Sequence, residues 1–333
     1  MNTEELQQQL FAEIKRKIGE NASPADEIAR LLDMSSDSAY RRIRGEKTIS
    51  LDELYKLCTH YKISLDQMMN IQTGSFLFQG QLVDSNGFRF DKYLTATLDW
   101  LAYFNSFKEK EFYYLCKDQP IFHHFYFREI AAFKYFFWMK TIFHLPDFAK
   151  RKFKVDDYPD ELFGIGQKIL TLYNQIPSTE IWNLESFNSM IRQVEYYRDN
   201  QLFESDEEAF RVYEALEKYI DHLEKQAELG YNYEFGDPQR KPISSFRMYF
   251  NEWLVLDNGM MAVLDNTKIS ALAHTSINYM LSRDLILGEY RYRFIQNMMQ
   301  RSTLISEVSE KERSRFFKLM RDKITHRKES LKV

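Results

Sequence analysis

Cysteine is almost absent from this chain of 333 residues, and proline and glycine are scarce. The two cysteines, Cys58 and Cys116, cannot found a disulfide framework in so long a chain, so a reducing compartment is the natural setting. Only seven prolines and eleven glycines interrupt the sequence, which favours long helices. Since 44% of the residues are hydrophobic and 16% are aromatic, we expect a densely packed, folded protein.

The chain also lacks a long uncharged apolar run. Its richest apolar stretch, Phe125 to Leu145, contains Arg128, Glu129, Lys134 and Lys140, and a membrane span would not tolerate these charges. The N-terminal sequence MNTEELQQQL is polar and lacks the basic start and apolar run of a secretion signal. We therefore expect a cytoplasmic protein with no membrane partner.

Sequence motifs for catalysis and for cofactor binding are lacking as well. There is no Gly-rich phosphate loop, no Gly-x-Ser-x-Gly and no His-Glu-x-x-His. His123 and His124 follow Cys116 at a spacing that fits no standard zinc pattern. Carboxylates such as Asp118 and Glu129 show no spacing that indicates acid–base catalysis. We expect no catalytic residue, no metal site and no cofactor.

The N-terminal 70 residues do carry a pattern, which is a series of short helices. Each is predicted to begin after a capping serine: Ser23, Ser35 or Ser36, Ser50 and Ser64. The spacing Ser50-x-x-Glu53 is that of a capping box, in which the two residues satisfy each other's backbone amides. A leading helix from about Thr3 to Ile18 completes a predicted five-helix domain over residues 1–70.

The helix predicted from Ser36 to Arg44 is too polar to be a core helix. Only Ala39 and Ile43 can pack inward, so most of its surface must face water or a polar partner. Gly45 follows it, the residue type that most easily adopts the left-handed conformation that closes a helix. From Ser35 to Lys47 there are four basic and two acidic residues, whereas the whole domain has ten Lys and Arg against twelve Asp and Glu.

These residues resemble the helix-turn-helix of the lambda-repressor and Cro family of DNA-binding domains. The resemblance covers roughly the first 70 residues, and the positions of the family's inter-helix contacts are filled by Ile28, Ala29, Leu32, Met34 and Ala39. It implies that the helix beginning at Ser36 enters the major groove of DNA. Two positions depart from the family pattern. Asp33 stands where the family prefers Gly in the turn, and Arg42 stands where an apolar residue is usual.

Carried over residue by residue, the resemblance implies a set of contacts to DNA bases or phosphates: Ser35, Ser36, Asp37, Ser38, Tyr40, Arg41, Arg44 and Lys47. Domains of this kind occupy two half-sites related by two-fold symmetry, so we expect a homodimer on double-stranded DNA. Because the domain as a whole is not basic, an alternative is a protein–protein interaction module or scaffold that uses the same helix face.

The remainder of the chain is predicted to form three segments. Residues 71–87 contain three glycines and are predicted to be a linker. Residues 88–241 are predicted to form a long, aromatic-rich α-helical region, in which only Lys110 to Phe125 suggests a short hairpin. Residues 242–333 are predicted to form a small antiparallel β-meander with two helices, because Asp257-Asn258-Gly259 is a strong hairpin signal. The predicted fold class is therefore mainly α.

The last 33 residues are basic, with ten Lys and Arg against five Asp and Glu. An apolar stripe that includes Phe316 and Met320 indicates an amphipathic helix docked on the body, while phosphate contact by its basic face is the alternative. We expect the C-terminal region to pair two DNA-binding heads and to sense an effector, small molecule or protein, of unknown identity. The sequence as a whole predicts a sequence-specific transcriptional regulator.

Overall fold

The computed structural model describes residues 2–18, 23–69, 76–80, 88–253, 258–275 and 277–329. The chain divides into two compact units, which we call the N-terminal unit (Met1–Leu77) and the C-terminal unit (Phe78–Val333). Residues 88–241 and 242–333 thus belong to a single compact unit. Most of the predicted linker, residues 71–75 and 81–87, lies outside the described residues.

Five helices form the described part of the N-terminal unit: α1 (Thr3–Ile18), α2 (Pro24–Leu32), α3 (Ser36–Ile43), α4 (Leu51–Tyr61) and α5 (Leu65–Met68). Their apolar faces meet in one core, which includes Leu10 and Ile14 of α1, Ile28 of α2, Ala39 of α3 and Leu57 of α4. The predicted apolar face of α4 is partly wrong, since it included two side chains that the structure leaves exposed: Leu51 and Tyr55.

The capping serines differ in what they do. Ser35 accepts a hydrogen bond from the backbone N–H of Ser38, and Ser50 and Glu53 form both bonds of the predicted capping box. Ser23 precedes α2 without a side-chain capping bond. Pro24 occupies the first turn of α2, where its missing N–H leaves no helix bond unmade.

The described part of the C-terminal unit contains one eight-stranded sheet with helices on its faces. Its helices are α6 (Phe90–Asn105), α7 (Arg128–Phe137), α8 (Asp160–Asn174), α9 (Asn188–Asp199), α10 (Asp206–Leu229), α11 (Leu285–Gln300) and α12 (Glu310–Glu329). Its strands are β1 (Lys110–Cys116), β2 (Ser178–Trp182), β3 (Tyr231–Asn232), β4 (Ser244–Phe250), β5 (Gly259–Leu264), β6 (Thr267–Ala273), β7 (Tyr279–Ser282) and β8 (Thr303–Leu304).

The sheet is mixed, and its strand order is β3-β4-β2-β1-β5-β6-β7, with β8 also paired to β4. Strand β2 runs parallel to both β1 and β4, whereas β5, β6 and β7 continue antiparallel from β1. The predicted fold class, mainly α with a small β-meander, is wrong. Two central strands lie within the segment predicted to be helical, and they are buried on both faces, so the alternation that marks a half-exposed strand is missing.

Both predicted hairpins are wrong. Strands β4 and β5 flank the Asn258-Gly259 signal, but β2 and β1 lie between them in the sheet, and Asp257 lies outside the described residues. The antiparallel partner of β5 is instead β6, across a turn at Asp265. The segment Lys110 to Phe125 forms β1 and then enters a 3-10 helix over Ile121–Tyr126, because β1 finds its partners in β2 and β5.

Helix α12 docks on α10 through both its faces. Phe316, Phe317, Met320 and Ile324 are fully buried. Its basic side chains pair with acidic partners, so the basic tail is largely used within the unit: Arg321 with Asp221 (2.8 Å) and Glu224, Arg327 with Glu195 of α9 (2.6 Å), and Lys328 with Glu217. In the part of the chain that the structure describes, no helix has the length and apolar character needed to cross a bilayer.

Candidate nucleic-acid interface

Helices α2 and α3 are joined by a tight turn at Asp33. This residue adopts the left-handed conformation, with φ 55° and ψ 57°, and the next amide, that of Met34, bonds back to the carbonyl of Ala29 at 3.0 Å. Asp tolerates this conformation better than most residues that have a Cβ. The departure from Gly at Asp33 therefore leaves the tight turn intact.

Arg42 is a buried charge that is fully paired. Its Nη2 donates to Oε1 of Glu53 at 2.7 Å and its Nε donates to Oε2 at 3.1 Å, which is the bidentate arrangement that suits a guanidinium. Burial acts to raise the pKa of Glu53, but the hydrogen bonds from Arg42 and the Ser50 amide and the Arg42 charge outweigh it and lower the pKa. A polar pair thus replaces the apolar contact expected at Arg42, and this arginine is unavailable to DNA.

Gln7 of α1 holds the segment that follows α3. Its side chain is 4% exposed, and its Nε2 donates to the carbonyls of Arg42 (2.7 Å) and Lys47 (2.8 Å). Its Oε1 accepts from the amide of Ile49 at 3.1 Å. One buried amide therefore fixes both ends of the turn that carries Gly45, whose φ is +81°. Nothing in the local sequence of α1 signals this role, because its partners lie 35 or more positions away.

The sequence-predicted contact residues lie on one helix and on the turn after it. All are exposed except Ser38, which is half-buried: Ser35, Ser36, Asp37, Tyr40, Arg41, Arg44 and Lys47. Ser35 caps the helix, and Ser36 Oγ donates to Oδ1 of Asp26 at 2.7 Å. Hydrogen bonds from Ser36 and then Ser23 lower the pKa of Asp26. The first turn of α3 is thereby tied to the first turn of α2.

Glu46 limits the positive charge of this face, and the sequence analysis did not single it out. Its carboxylate lies 3.8 Å from Nε of Arg41 and 3.6 Å from Nη1 of Arg44. The Arg44 guanidinium also lies over the ring of Tyr40, 4.6 Å from its centre. Since Arg42 is buried, the exposed cations are Arg41, Arg44 and Lys47, opposed by Asp37 and Glu46.

A second cluster of ionisable side chains lies in the C-terminal unit around Glu180 of β2. Its Oε1 accepts from the Tyr173 hydroxyl (2.6 Å) and lies 3.1 Å from Nε2 of His123, and its Oε2 accepts from the indole N–H of Trp182 (2.8 Å). Nδ1 of His123 lies 2.7 Å from the hydroxyl of Tyr219. All five side chains are 2% exposed or less, so this cluster is sealed from solvent.

The side chains considered for a metal site are used differently. His123 belongs to the Glu180 cluster. His124 is buried, and burial, Lys134 and His123 hold its pKa well below the ordinary value. Burial followed by the charges of Glu180 and Asp118 raises the pKa of the Cys116 thiol, so the thiolate is disfavoured. Among the described residues, no group of three or more His, Cys, Asp or Glu side chains is arranged to hold a metal ion.

Comparisons with known proteins add no relative to this description. No protein-family model matches the chain. No curated protein matches it, and no solved structure does so either. The assignment of a function therefore depends on the residues themselves.

Proposed function

We propose that this protein is a sequence-specific, DNA-binding transcriptional regulator that inserts α3 into the major groove. The observation that carries the proposal is the exposed polar face of α3, which presents Tyr40, Arg41 and Arg44 on a helix held in place by buried polar contacts. A base-reading group must be fixed by its scaffold if it is to discriminate between bases, and the Arg42–Glu53 pair and the Gln7 amide supply that support. Access to DNA also favours a cytoplasmic location.

Each exposed side chain has a role suited to its chemistry. Arg41 and Arg44 can donate in the bidentate manner that guanine or a phosphate accepts, and Lys47 offers a point charge to the backbone. Ser35 and Ser36 lie at the N-terminus of the helix, the end that meets base edges in helix-turn-helix proteins. With only three exposed cations against two acids, one copy would bind DNA weakly, so the proposal includes a homodimer on a two-fold symmetric site.

We expect Arg41→Ala and Arg44→Ala each to lower affinity for a selected DNA site about tenfold, because each removes a contact to a base or phosphate. The site would first be selected from a random duplex pool with the full chain, then titrated by fluorescence anisotropy at two salt concentrations. A selected sequence with inverted half-sites is expected. If no sequence exceeds non-specific affinity, or if both substitutions leave the affinity unchanged, the proposal is wrong.

Two further variants test the sign of the effect. Glu46→Gln removes the carboxylate that competes for Arg41 and Arg44, so it should raise the affinity roughly two- to fivefold and steepen the salt dependence. The double variant Arg16→Ala, Lys17→Ala removes two exposed cations from the far end of α1 and should change little. Equal losses in this control and in the α3 variants would indicate only general attraction. A protein partner that covers α3 without any DNA preference would instead support the interaction-module alternative.

The surface that pairs two copies is proposed to lie on α11. One face of α11 packs on the sheet through side chains that include Ile295 and Met298. The other exposes Ile286, Tyr290 and Phe294, spaced four residues apart on one side of the helix. This spacing is symmetric about Tyr290, so two copies packed antiparallel about a two-fold axis would place Ile286 of one against Phe294 of the other.

Tyr290→Asp is expected to convert a dimer into a monomer, because it places a charge at the centre of an apolar contact, where truncation of a tyrosine often costs the most affinity. Light scattering after size-exclusion chromatography, across a concentration series, measures the mass. Tyr196→Asp is the matched control, since Tyr196 is an exposed tyrosine on α9. A wild-type monomer, or a Tyr290→Asp variant that remains dimeric, would contradict this surface.

A further inference from the structure

A cavity of about 220 Å³ lies in the C-terminal unit, bounded by α6, the 3-10 helix after β1 and strands β5 and β7. Its floor is buried and apolar, with Phe122, Met260 and Ile277 each 2% exposed or less. Its rim includes two exposed residues, Gly80 and Ala96. The cavity is thus a closed apolar space with access from solvent at one side.

The size of the cavity limits what it could hold. Engineered apolar cavities of about 150 Å³ bind benzene, and pockets for drug-sized molecules start near 300 Å³. The 220 Å³ space therefore suits a compound somewhat larger than a single benzene ring. The side chains of Trp100 and Phe122 give its walls flat aromatic surfaces.

One buried polar group of the lining has no partner. Asn278 is 7% exposed, and its Nδ2 has no hydrogen-bond partner among the described residues. The main chain of Asn278 is held in place, since its carbonyl accepts from the amide of His274 at 2.8 Å. A buried amide N–H₂ without an acceptor is costly, so its presence in an apolar cavity calls for an explanation.

The other hydroxyl groups of the lining are already engaged. The hydroxyl of Tyr93 donates to the carbonyl of Ile277 at 2.9 Å, and that of Tyr279 lies 2.7 Å from the hydroxyl of Tyr114. Thr97 donates to the helix carbonyl of Tyr93 at 2.9 Å. The side chain of Asn278 is therefore the donor that the lining leaves available to a ligand.

The lining also excludes a charged ligand. None of the described side chains that line the cavity is an acid, a histidine, a lysine or an arginine. Burial raises the pKa of Tyr93 and of Tyr279 far above the ordinary tyrosine value, so both stay neutral. A carboxylate would lose its hydration here without gaining a counter-ion, whereas a carbonyl oxygen needs only the one donor that is present.

We infer that this cavity binds a neutral, mainly apolar small molecule that presents a carbonyl oxygen to Nδ2 of Asn278. A ketone, ester, lactone or amide with an aromatic or short alkyl body has the required chemistry. The ligand completes the hydrogen bonding of Asn278 and fills the apolar space beside Trp100. This inference goes beyond the proposed DNA binding and does not depend on it, because it concerns only contacts within the C-terminal unit.

The test compares two compounds of the same shape on the full-length protein. Butyrophenone carries a carbonyl, and 2-phenyl-1-pentene carries a methylidene group in its place. Ligand-observed NMR titration is expected to give a dissociation constant below about 1 mM for butyrophenone. The ketone should bind about three- to tenfold more tightly than the alkene, the difference made by one neutral hydrogen bond. The charged 4-propylbenzoate should bind more weakly than either.

Three variants locate the binding. Asn278→Leu should abolish the preference for the ketone, and Ala96→Trp, which fills the exposed rim from α6, should remove binding of both compounds. Ala102→Trp is the matched control at another exposed alanine of α6, and it should bind like the wild type. If Asn278→Leu does not fold, the wild-type preference and the two tryptophan variants still decide. Absence of saturable binding, no preference for the ketone in the wild type, a ketone preference that survives in Asn278→Leu, or unchanged binding in Ala96→Trp overturns the inference.

Discussion

Replacing Glu180 by leucine is expected to destabilise the C-terminal unit by about 4 kcal/mol. The substitution leaves three buried donors without an acceptor, namely the Tyr173 hydroxyl, the Trp182 indole N–H and an N–H of His123. Each unpaired donor costs about 1–3 kcal/mol, and the gain from burying a leucine offsets only part of the sum. For a unit of this size, the midpoint of thermal unfolding should fall by roughly 10 °C.

The tyrosine partner keeps its proton throughout the ordinary pH range, which makes the loss of an acceptor decisive. Burial, followed by the charge of Glu180 and its hydrogen bond, raises the pKa of Tyr173 well above its usual value. Tyr173 therefore cannot relieve the substitution by ionising, and within the cluster it has lost the oxygen to which it donates.

Glu180→Gln separates the hydrogen bonds from the charge. Glutamine keeps one acceptor oxygen for Trp182, and its N–H₂ can donate to the Tyr173 oxygen if that hydroxyl turns, so a loss of only about 1 kcal/mol is expected. Glu161→Leu is the control, because Glu161 is exposed on α8 and should change stability by less than about 0.5 kcal/mol. Calorimetry of the three variants measures the effect. A Glu180→Leu protein as stable as the wild type would show that the cluster contributes nothing to the fold.

Replacing Glu53 by alanine is expected to destabilise the N-terminal unit by about 2–3 kcal/mol. The change leaves the guanidinium of Arg42, 7% exposed, without its carboxylate, and it removes the Glu53 half of the capping box. Breaking a buried pair costs about 3–5 kcal/mol, and we reduce this figure because the Glu53 side chain is 18% exposed. Since the unit is small, its unfolding midpoint should fall by about 15 °C.

The pH dependence gives an independent check on the same pair. The pKa of Glu53 is lowered from its ordinary 4.5 in the folded unit, so its contribution to stability is complete above that pH. The contribution is lost as the pH falls through the lowered pKa, and the wild-type unit should weaken there while Glu53→Ala shows a flatter profile. Asp52→Ala, at the exposed neighbouring carboxylate, is the control. Identical pH profiles for the wild type and Glu53→Ala would contradict the account.

Sequence reasoning succeeded where contacts are local. Helix α1 and helix α10 lie within the predicted bounds because their apolar positions recur at helical spacing, and the polar face of α3 follows from the composition of eight residues. The role of that face in DNA binding stays a prediction. The capping box at Ser50 was predicted as well, since its two partners are three positions apart.

What the sequence could not reveal depends on partners far along the chain. Strand β2 has only five residues, STEIW, all buried, so it shows no alternation of apolar and polar side chains. Its neighbours β1 and β4 lie more than 60 positions away on either side. The contacts of Gln7, Arg42 and Glu53 are similarly remote, and no local pattern reports that a glutamine on α1 bonds to the turn after α3.

The strand order has a consequence for synthesis on the ribosome. The N-terminal unit closes its core within 77 residues, whereas β4 needs β2 on one side and β8, near residue 304, on the other. Helix α12, the last element, then covers α10. Pairings between distant segments form slowly, and domains tend to fold in order of emergence. The N-terminal unit thus has all its own residues available while about 250 more are still being translated, and the apolar face of α10 waits for the end of the chain.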